Sequence, residues 1–494
     1  MFRKYVSFIG LCLGFFLIIM DTTTVPLLYT TLMKGFSVNP ATVAWINNIY
    51  LVTYVAFLLL GGRLGDFTNR KMLVLTAYLI IGMGAALSGC AHNFENLIVG
   101  RALMGVGAGL LTPQSMAYIF TLFFAQGGRG TALGIWGAVA GLATATGPII
   151  TQLFLTIANW RWVMWINIPV ALVCFLIATL SLPNSSRRDI DIGDCVVSTM
   201  YGLCLAGAIV GIQLIVAGKS FIGRGGFLFT MGILTAVILI RNELKKKQGY
   251  ILPPELWFDK IFLRVCFVSG LLGLSLTAFY FPLVFLLDVR MNFGPSAIGI
   301  IMMTIALSNA LVGPFAGNIS DRLKPEKMIR LGLMLFLTAN VLLGIIGVFV
   351  VAGLLAFVAL CAVMMIAGVG TGLAFAPLAN LALGRAQITT AGRAAAFYNF
   401  VRQILSALGG VIIAIVFESI VRLQLQYVPE VITISYLRES SRVAAIASLI
   451  CFLFIAMSLA VAAYTTTARV KKHDRLKIEM TTISDRMTDG GTNI

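Results

Sequence analysis

Asp21 is a carboxylate set deep in an apolar run, residues 7–31, with Phe-Leu-Ile-Ile-Met before it and Thr-Thr-Thr-Val after it. An ionised group at that depth in a hydrocarbon layer is costly unless it is paired or meets water, so a functional role is its default reading. The chemistry open to it is reversible proton binding linked to a second ligand. Arg101 is an opposite charge inside another apolar run. At about 1.5 Å per residue, Asp21 lies roughly 20 Å from the inner start of its run, somewhat outside the membrane midplane. Arg101 lies about one turn, roughly 6 Å, below the outer start of a run travelling the other way. The two charges reach similar depths, and a pair is expected, direct or through water. A purely structural polar lock between helices is the competing reading of Asp21.

The other acids fit this test less well. Asp66 and Asp321 fall at inner turns, Asp288 and Glu418 near outer helix ends, and the rest in loops or the tail. Glu418 is therefore the second choice for proton coupling or cation contact, against a water-facing interfacial acid. Enzyme constellations are lacking. The two histidines, His92 and His473, are too far apart in depth to share a site. Gly105-Val-Gly107 and Gly368-Val-Gly370-Thr-Gly372 lie inside apolar runs without a following Lys-Ser or Lys-Thr, and read as packing glycines. The expectation is a protein that is not an enzyme, with no cofactor, no metal and no ATP hydrolysis.

Positioning such charges requires a membrane bundle, and the composition specifies one. Of 494 residues, 59% are hydrophobic and only 11% charged, with a mean hydropathy of +0.97. A span needs roughly 20 mainly apolar residues, and the runs between polar breaks predict fourteen helices. The first run is too long for a removable signal and reads as a retained helix. A net charge of +17 raises nucleic acid as a partner, but the basic residues follow the loops instead. Inner segments hold 26 of the 36 Lys and Arg, outer loops 8, and Arg101 and Arg402 fall within helices. That asymmetry predicts both termini in the cytoplasm. The eight cysteines lie in or beside apolar runs without metal-ligand spacing, as small buried hydrophobes would.

A partial repeat divides the chain. Gly62-Arg-Leu-Gly-Asp66, followed by Arg70-Lys71, has a counterpart in Gly317-Asn-Ile-Ser-Asp321-Arg322, followed by Lys324 and Lys327. Repeated halves suit two bundles that rock about a site between them. Asp66 is expected to cap the start of helix 3. The organisation expected is residues 1–184 as a six-helix bundle, 185–260 as a linker with two extra spans, 261–467 as a second six-helix bundle, and 468–494 as a disordered cytoplasmic tail. Basic residues at 187–188 and 245–247 read as contacts to anionic lipid. Between the bundles, Tyr50, Tyr54, Trp45 and Trp136 are candidates to line a pocket for flat or cationic molecules, with Trp45 equally suited to an interfacial belt. Arg402 and Gln403 would either join helices or contact substrate.

The turn at 62–71 resembles the G-x-L-a-D-r-x-G-r-k signature of the major facilitator superfamily, and the second copy at 317–322 reinforces it. Asp21-Thr-Thr-Thr-Val25 resembles the opening motif of the superfamily's fourteen-helix drug:proton antiporter group. Arg101-Ala-Leu-Met-Gly105 resembles its helix 4 motif, whose arginine is implicated in proton movement. Gly147-Pro148 is similar to its antiporter motif, Trp160-Arg161-Trp162 with Ile166-Asn167-Ile168-Pro169 to its helix 6 entry, and Ala391-Gly392-Arg393-Ala394 with Arg402-Gln403 to its helix 13 start. The chain departs at Asn69, where the signature has Gly, a position Asn suits through its tolerance of left-handed backbone. It departs again at Thr151-Gln152, where Gly-Gly usually follows.

The resemblance implies an all-α integral membrane protein of the major facilitator fold, fourteen spans arranged 6+2+6, in the cytoplasmic (inner) membrane. It implies proton-coupled export of amphipathic or hydrophobic small molecules, as in multidrug efflux, by alternating access. Protons, substrate and membrane lipids would be its partners, joined in a Gram-negative host by a periplasmic adaptor and outer-membrane channel. Two alternatives stand beside it: a dedicated exporter of one metabolite, such as a siderophore, fatty acid or antibiotic, and a non-transporting membrane receptor.

Overall fold

The computed structural model describes residues 2–38, 40–123, 128–185, 192–217, 222–246, 252–322, 324–350, 352–424 and 441–467. The basic residues at 187, 188 and 247 and the tail after 467 lie outside them. All regular structure among the described residues is helical. The chain runs α1 (Phe2–Thr24), α2 (Tyr29–Phe36), α3 (Pro40–Phe67), α4 (Arg70–Gly89), α5 (Phe94–Leu122), α6 (Arg129–Ile157), α7 (Trp160–Trp165) and α8 (Asn167–Ser181). It continues as α9 (Ile192–Ala217), α10 (Ile222–Lys246), α11 (Pro254–Trp257), α12 (Lys260–Val284), α13 (Pro295–Arg322), α14 (Pro325–Phe349), α15 (Leu354–Leu383), α16 (Ala391–Gln424) and α17 (Ser441–Thr467).

Thirteen helices among the described residues are long and apolar enough to cross a membrane. The other expected span is α9, whose described apolar stretch Cys195–Gly211 is shorter. It packs on α10 and on α3. Large apolar side chains such as Leu180, Phe315 and Met457 are exposed on outward faces, as contact with lipid requires.

Two groups of helices make the body. In the first, α3, α4 and α5 pack together while α1 lies against α6 and α8; in the second, α12 packs on α16, and α15 on α13 and α14, with α17 closing against α14. The groups meet where α6 lies along α13 and α3 along α16. The starts of α1 and α4 meet the end of α8, through Arg3 Nε to the Ser181 carbonyl (3.1 Å) and Lys71 Nζ to the Thr179 carbonyl (2.6 Å). This end of the bundle, called the near end below, also carries the starts of α6 and α16. Its packing relies on glycine: a Cβ on Gly62 would stand 2.7 Å from the Gly392 carbonyl oxygen, and one on Gly317 would strike the Gly130 carbonyl.

Among the described residues two spans are broken, and both breaks follow from proline. Pro26 has no N–H to donate and crowds the carbonyl four residues earlier, so α1 gives way to a 3₁₀ turn over Val25–Leu28 before α2. The hydroxyls of Thr22, Thr23 and Thr24 take up the carbonyls of Ile19, Met20 and Asp21 at this break. Pro169 likewise frees the carbonyl of Trp165, and its span divides into α7 and α8 around Ile166. Among the cysteines, Cys12, Cys174, Cys266 and Cys451 are buried as expected, but Cys90 is exposed, because it is the cap residue that ends α4.

Candidate functional site

Asp21 occupies the last turn of α1, one turn before the 3₁₀ break, and is 1% exposed. Its Oδ2 accepts from Nη1 of Arg101 at 2.5 Å, and Arg101 is fully buried. Arg101 stands about 10 Å into α5, deeper than its apolar run alone suggests, because α5 begins at Phe94. Its Nε donates to the Ile46 carbonyl at 3.2 Å, and its guanidinium lies 4.6 Å from the centroid of the Tyr50 ring. The second carboxylate oxygen of Asp21 accepts from Asn167 Nδ2 at 3.4 Å. Asn167 sits at the α7–α8 break and also reaches the Met164 carbonyl at 3.1 Å.

The polar set is incomplete. Arg101 Nη2 and Asn167 Oδ1 are buried without a partner among the described residues, and an unsatisfied buried group costs about 1–3 kcal/mol. The crevice beside Asp21, lined by Leu17, Ile18, Tyr50, Ile81, Met104 and Ala108, is too narrow for a drug-sized molecule. Gly147 of α6 faces the same turn of α1. A Cβ there would collide with the Thr23 hydroxyl and approach the Met20 carbonyl to 3.3 Å, so this glycine sets how closely α6 approaches the Asp21 turn.

Two aromatic lines lead away from this charge pair and from α1. Tyr50 stacks on Tyr54 at 6.3 Å and 4°, and the Tyr54 hydroxyl meets Thr112 Oγ1 at 3.3 Å. Phe15 stacks on the fully buried Trp136 at 3.8 Å and 15°, and Trp136 stacks in turn on Phe375 of α15 at 6.4 Å. Arg402 of α16 stands 4.9 Å from the Phe375 centroid and donates from Nη2 to Asn399 Oδ1 at 3.0 Å. Gln403 beside it is half-buried, as is Trp45 near the start of α3. Trp136 and Arg402 thus meet through Phe375 where the two helix groups pack, while Tyr50 stays with the charge pair.

Glu418 lies elsewhere. It is an exposed residue of α16, paired with Arg422 one turn on at 2.6 Å.

The turn signature does something the sequence did not suggest. Asp66 does not cap α4. Asn69 does, its side chain accepting from the Lys71 amide at 3.1 Å with φ −67° and ψ 106°, so no left-handed backbone is needed there. Asp66, 2% exposed in its side chain, crosses instead to the other helix group. It accepts from the amides of Gly392 (3.0 Å) and Arg393 (3.2 Å) and from Arg393 Nε (3.1 Å), and is held at home by Arg70 Nη2 (2.9 Å). The carboxylate therefore caps the start of α16, where unsatisfied amides and the helix dipole favour a negative charge. In the second copy, Gly317 packs on Gly130; the side chains of Asp321 and Arg322, like that of Pro148, lie outside those described. Arg129 adds a further bridge, Nε to Asn380 Oδ1 at 2.6 Å.

Asn167 and the Ile46 carbonyl are the members of the Asp21 site without a role assigned from sequence. An amide side chain two residues before a proline in an apolar run was the available signal.

A bundle of membrane-length helices in two packed groups, holding a buried charge pair and a repeated glycine contact at one end, has the architecture of a membrane transporter. The chain belongs to the Major Facilitator Superfamily, whose family model matches residues 11–410. The superfamily consists of transporters, not enzymes. The puromycin resistance protein pur8 of Streptomyces alboniger is 27% identical over 414 residues, covering 82% of this chain and 80% of its own length. The methyl viologen resistance protein SmvA of Salmonella typhimurium is 25% identical over 326 residues, 65% of each chain. The crystal structure of the human organic anion transporter MFSD10 (TETRAN) superposes with a TM-score of 0.61 over 92% of this chain and 99% of that one; at 14% identity the likeness concerns the fold alone.

Proposed function

We propose that this protein exports amphipathic or hydrophobic small molecules in exchange for protons, by alternating access, with Asp21 as the proton carrier. The observation that carries the reading is the Asp21–Arg101 pair, wholly buried and set between two helix breaks. In this reading the Asp21–Arg101 contact opens and closes between the outward and inward states, and proton binding alternates with substrate occupancy. The proline breaks in α1 and in the α7–α8 span are the natural places for such a change. Relatives named for resistance to puromycin and methyl viologen support export of foreign small molecules.

The near end is the cytoplasmic one in this reading, consistent with the inner bias of Lys and Arg. Asp66, Gly392 and Arg393 then hold the cytoplasmic end closed, and cycling requires that latch to open. Helices α9 and α10 form a linking pair beside α3 that takes no part in the charge site.

The direct test is uptake of fluorescent amphipaths of negative, neutral and positive charge into inverted proteoliposomes carrying an imposed pH gradient. Gradient-dependent accumulation supports exchange. Equal accumulation with and without the gradient contradicts it.

A further inference from the structure

Arg402 is a cation in the middle of a span, without a counter-charge among the described residues. It lies about 16 Å along α16 from Ala391, and among the described residues it has no carboxylate partner, its one acceptor being Asn399 Oδ1. The buried acids among the described residues are already taken, Asp21 by Arg101 and Asn167 and Asp66 by Arg70 and Arg393. A charge at the centre of a span is costly when it has no partner, and such charges face a bundle interior or a cavity. Arg402 faces the interior, because it touches Phe375 of its own helix group and acts electrostatically on Tyr54 of the other.

Its surroundings are flat and donor-rich. Phe375 bears the guanidinium and stacks with Trp136, whose indole Nε1 is fully buried and has no acceptor. Tyr54 extends the same region toward Tyr50 and Arg101. A guanidinium whose one acceptor is a neutral amide, with a second buried donor and stacked rings close by, suits a flat anion.

We propose that the site between the helix groups selects flat molecules bearing a negative charge, a ring carboxylate or phenolate, with Arg402 as counter-charge and the half-buried Phe375, backed by Trp136, as the stacking ring. This names a substrate class for the exporter proposed above and rests on that reading for its transport role. Binding of an anion at Arg402 would leave the Asp21 carboxylate free to remain paired, so charge is balanced without using the proton site.

The test is calorimetric binding to the purified full-length protein of three isosteric probes: 2-naphthoate, 2-naphthylmethanol and 2-naphthylmethylammonium. A hydrogen bond to a charged partner is worth enough to expect naphthoate to bind at least about tenfold tighter than the ammonium probe. Arg402→Gln should erase that preference while keeping the neutral probe, and Arg402→Lys should restore part of it. Tighter or equal binding of the ammonium probe, an unchanged preference in Arg402→Gln, or no binding of any probe would each overturn the proposal. Should Arg402→Gln fail to fold, the ranking by the unmodified protein decides alone. Because binding needs no gradient, a failure of proton-driven export is read separately from a failure here.

Discussion

Asp66 and Gly392, 326 positions apart, are joined by a hydrogen bond of 3.0 Å from the glycine amide to the aspartate carboxylate, and they lie in different helix groups. The bond fastens the end of α3 to the first turn of α16. Arg393 strengthens it with a second amide and a charged side chain.

Loosening this latch should open the near end. Asp66→Asn removes the charge from three bonds across the groups, a change of roughly 1.5–3 kcal/mol for each charged bond fully lost. Gly62→Val should act in the same direction by forcing α3 off Gly392 and Ala396. Spin labels at Thr68 and Gln387 should show a longer-distance population in both variants, with substrate affinity changing less than turnover. An unaltered distance distribution contradicts the latch.

The sidedness of the bundle is open to direct labelling. Gln387 and His92 are exposed, on the near-end loop before α16 and on the loop between α4 and α5. In a cysteine-free background, Gln387→Cys should react only from the cytoplasm and His92→Cys only from outside. Reaction of both from one face contradicts the span count.

Outside the spans, Asp259 gives a pH signature. Burial pushes its carboxyl up, but the hydrogen bond from Arg385, the amides of Ile261 and Phe262 and the Arg385 charge outweigh this and hold it below its ordinary value of 3.8. A depressed acid contributes stability that is fully present above the ordinary value and is lost as pH falls through the folded one. Asp259→Asn keeps a capping oxygen for α12 but not the ion pair with Arg385 at 2.6 Å. Its melting temperature should lie below that of the parent at pH 7, and the two should converge only as pH falls through the folded value, which lies below 3.8. A gap that persists in acid excludes the ion pair as its source.

Gly147 and Thr23 supply a compensation test. Gly147→Ala should impair transport, because the new methyl meets the Thr23 hydroxyl beside the Asp21 turn. Thr23→Ala removes that hydroxyl, so the double variant should recover part of the loss. If the two losses simply add, α6 does not control this turn through Thr23.

Much of this was legible in the sequence, and the limits have physical causes. Asp21 and Arg101 could be paired by depth because helix rise is constant and few charges lie within spans. The partner of Asp66 was not, since a glycine amide carries no mark in a sequence and lies 326 residues away. Asn69 was read for its backbone tolerance, whereas its side chain captures the Lys71 amide. Asn167 was visible within a motif but acquired a role only when the Pro169 break turned it toward Asp21.

The central claim is that the Asp21 proton drives export. Removing Arg101 alone would strand a buried carboxylate at a cost of about 3–5 kcal/mol, so Asp21→Asn, which keeps shape and loses the titratable charge, is the cleaner variant. In proteoliposomes with an imposed pH gradient, Asp21→Asn should bind a neutral substrate with its pH dependence flattened, yet show no uphill export. Gradient-driven export by Asp21→Asn at the parent rate would contradict the account.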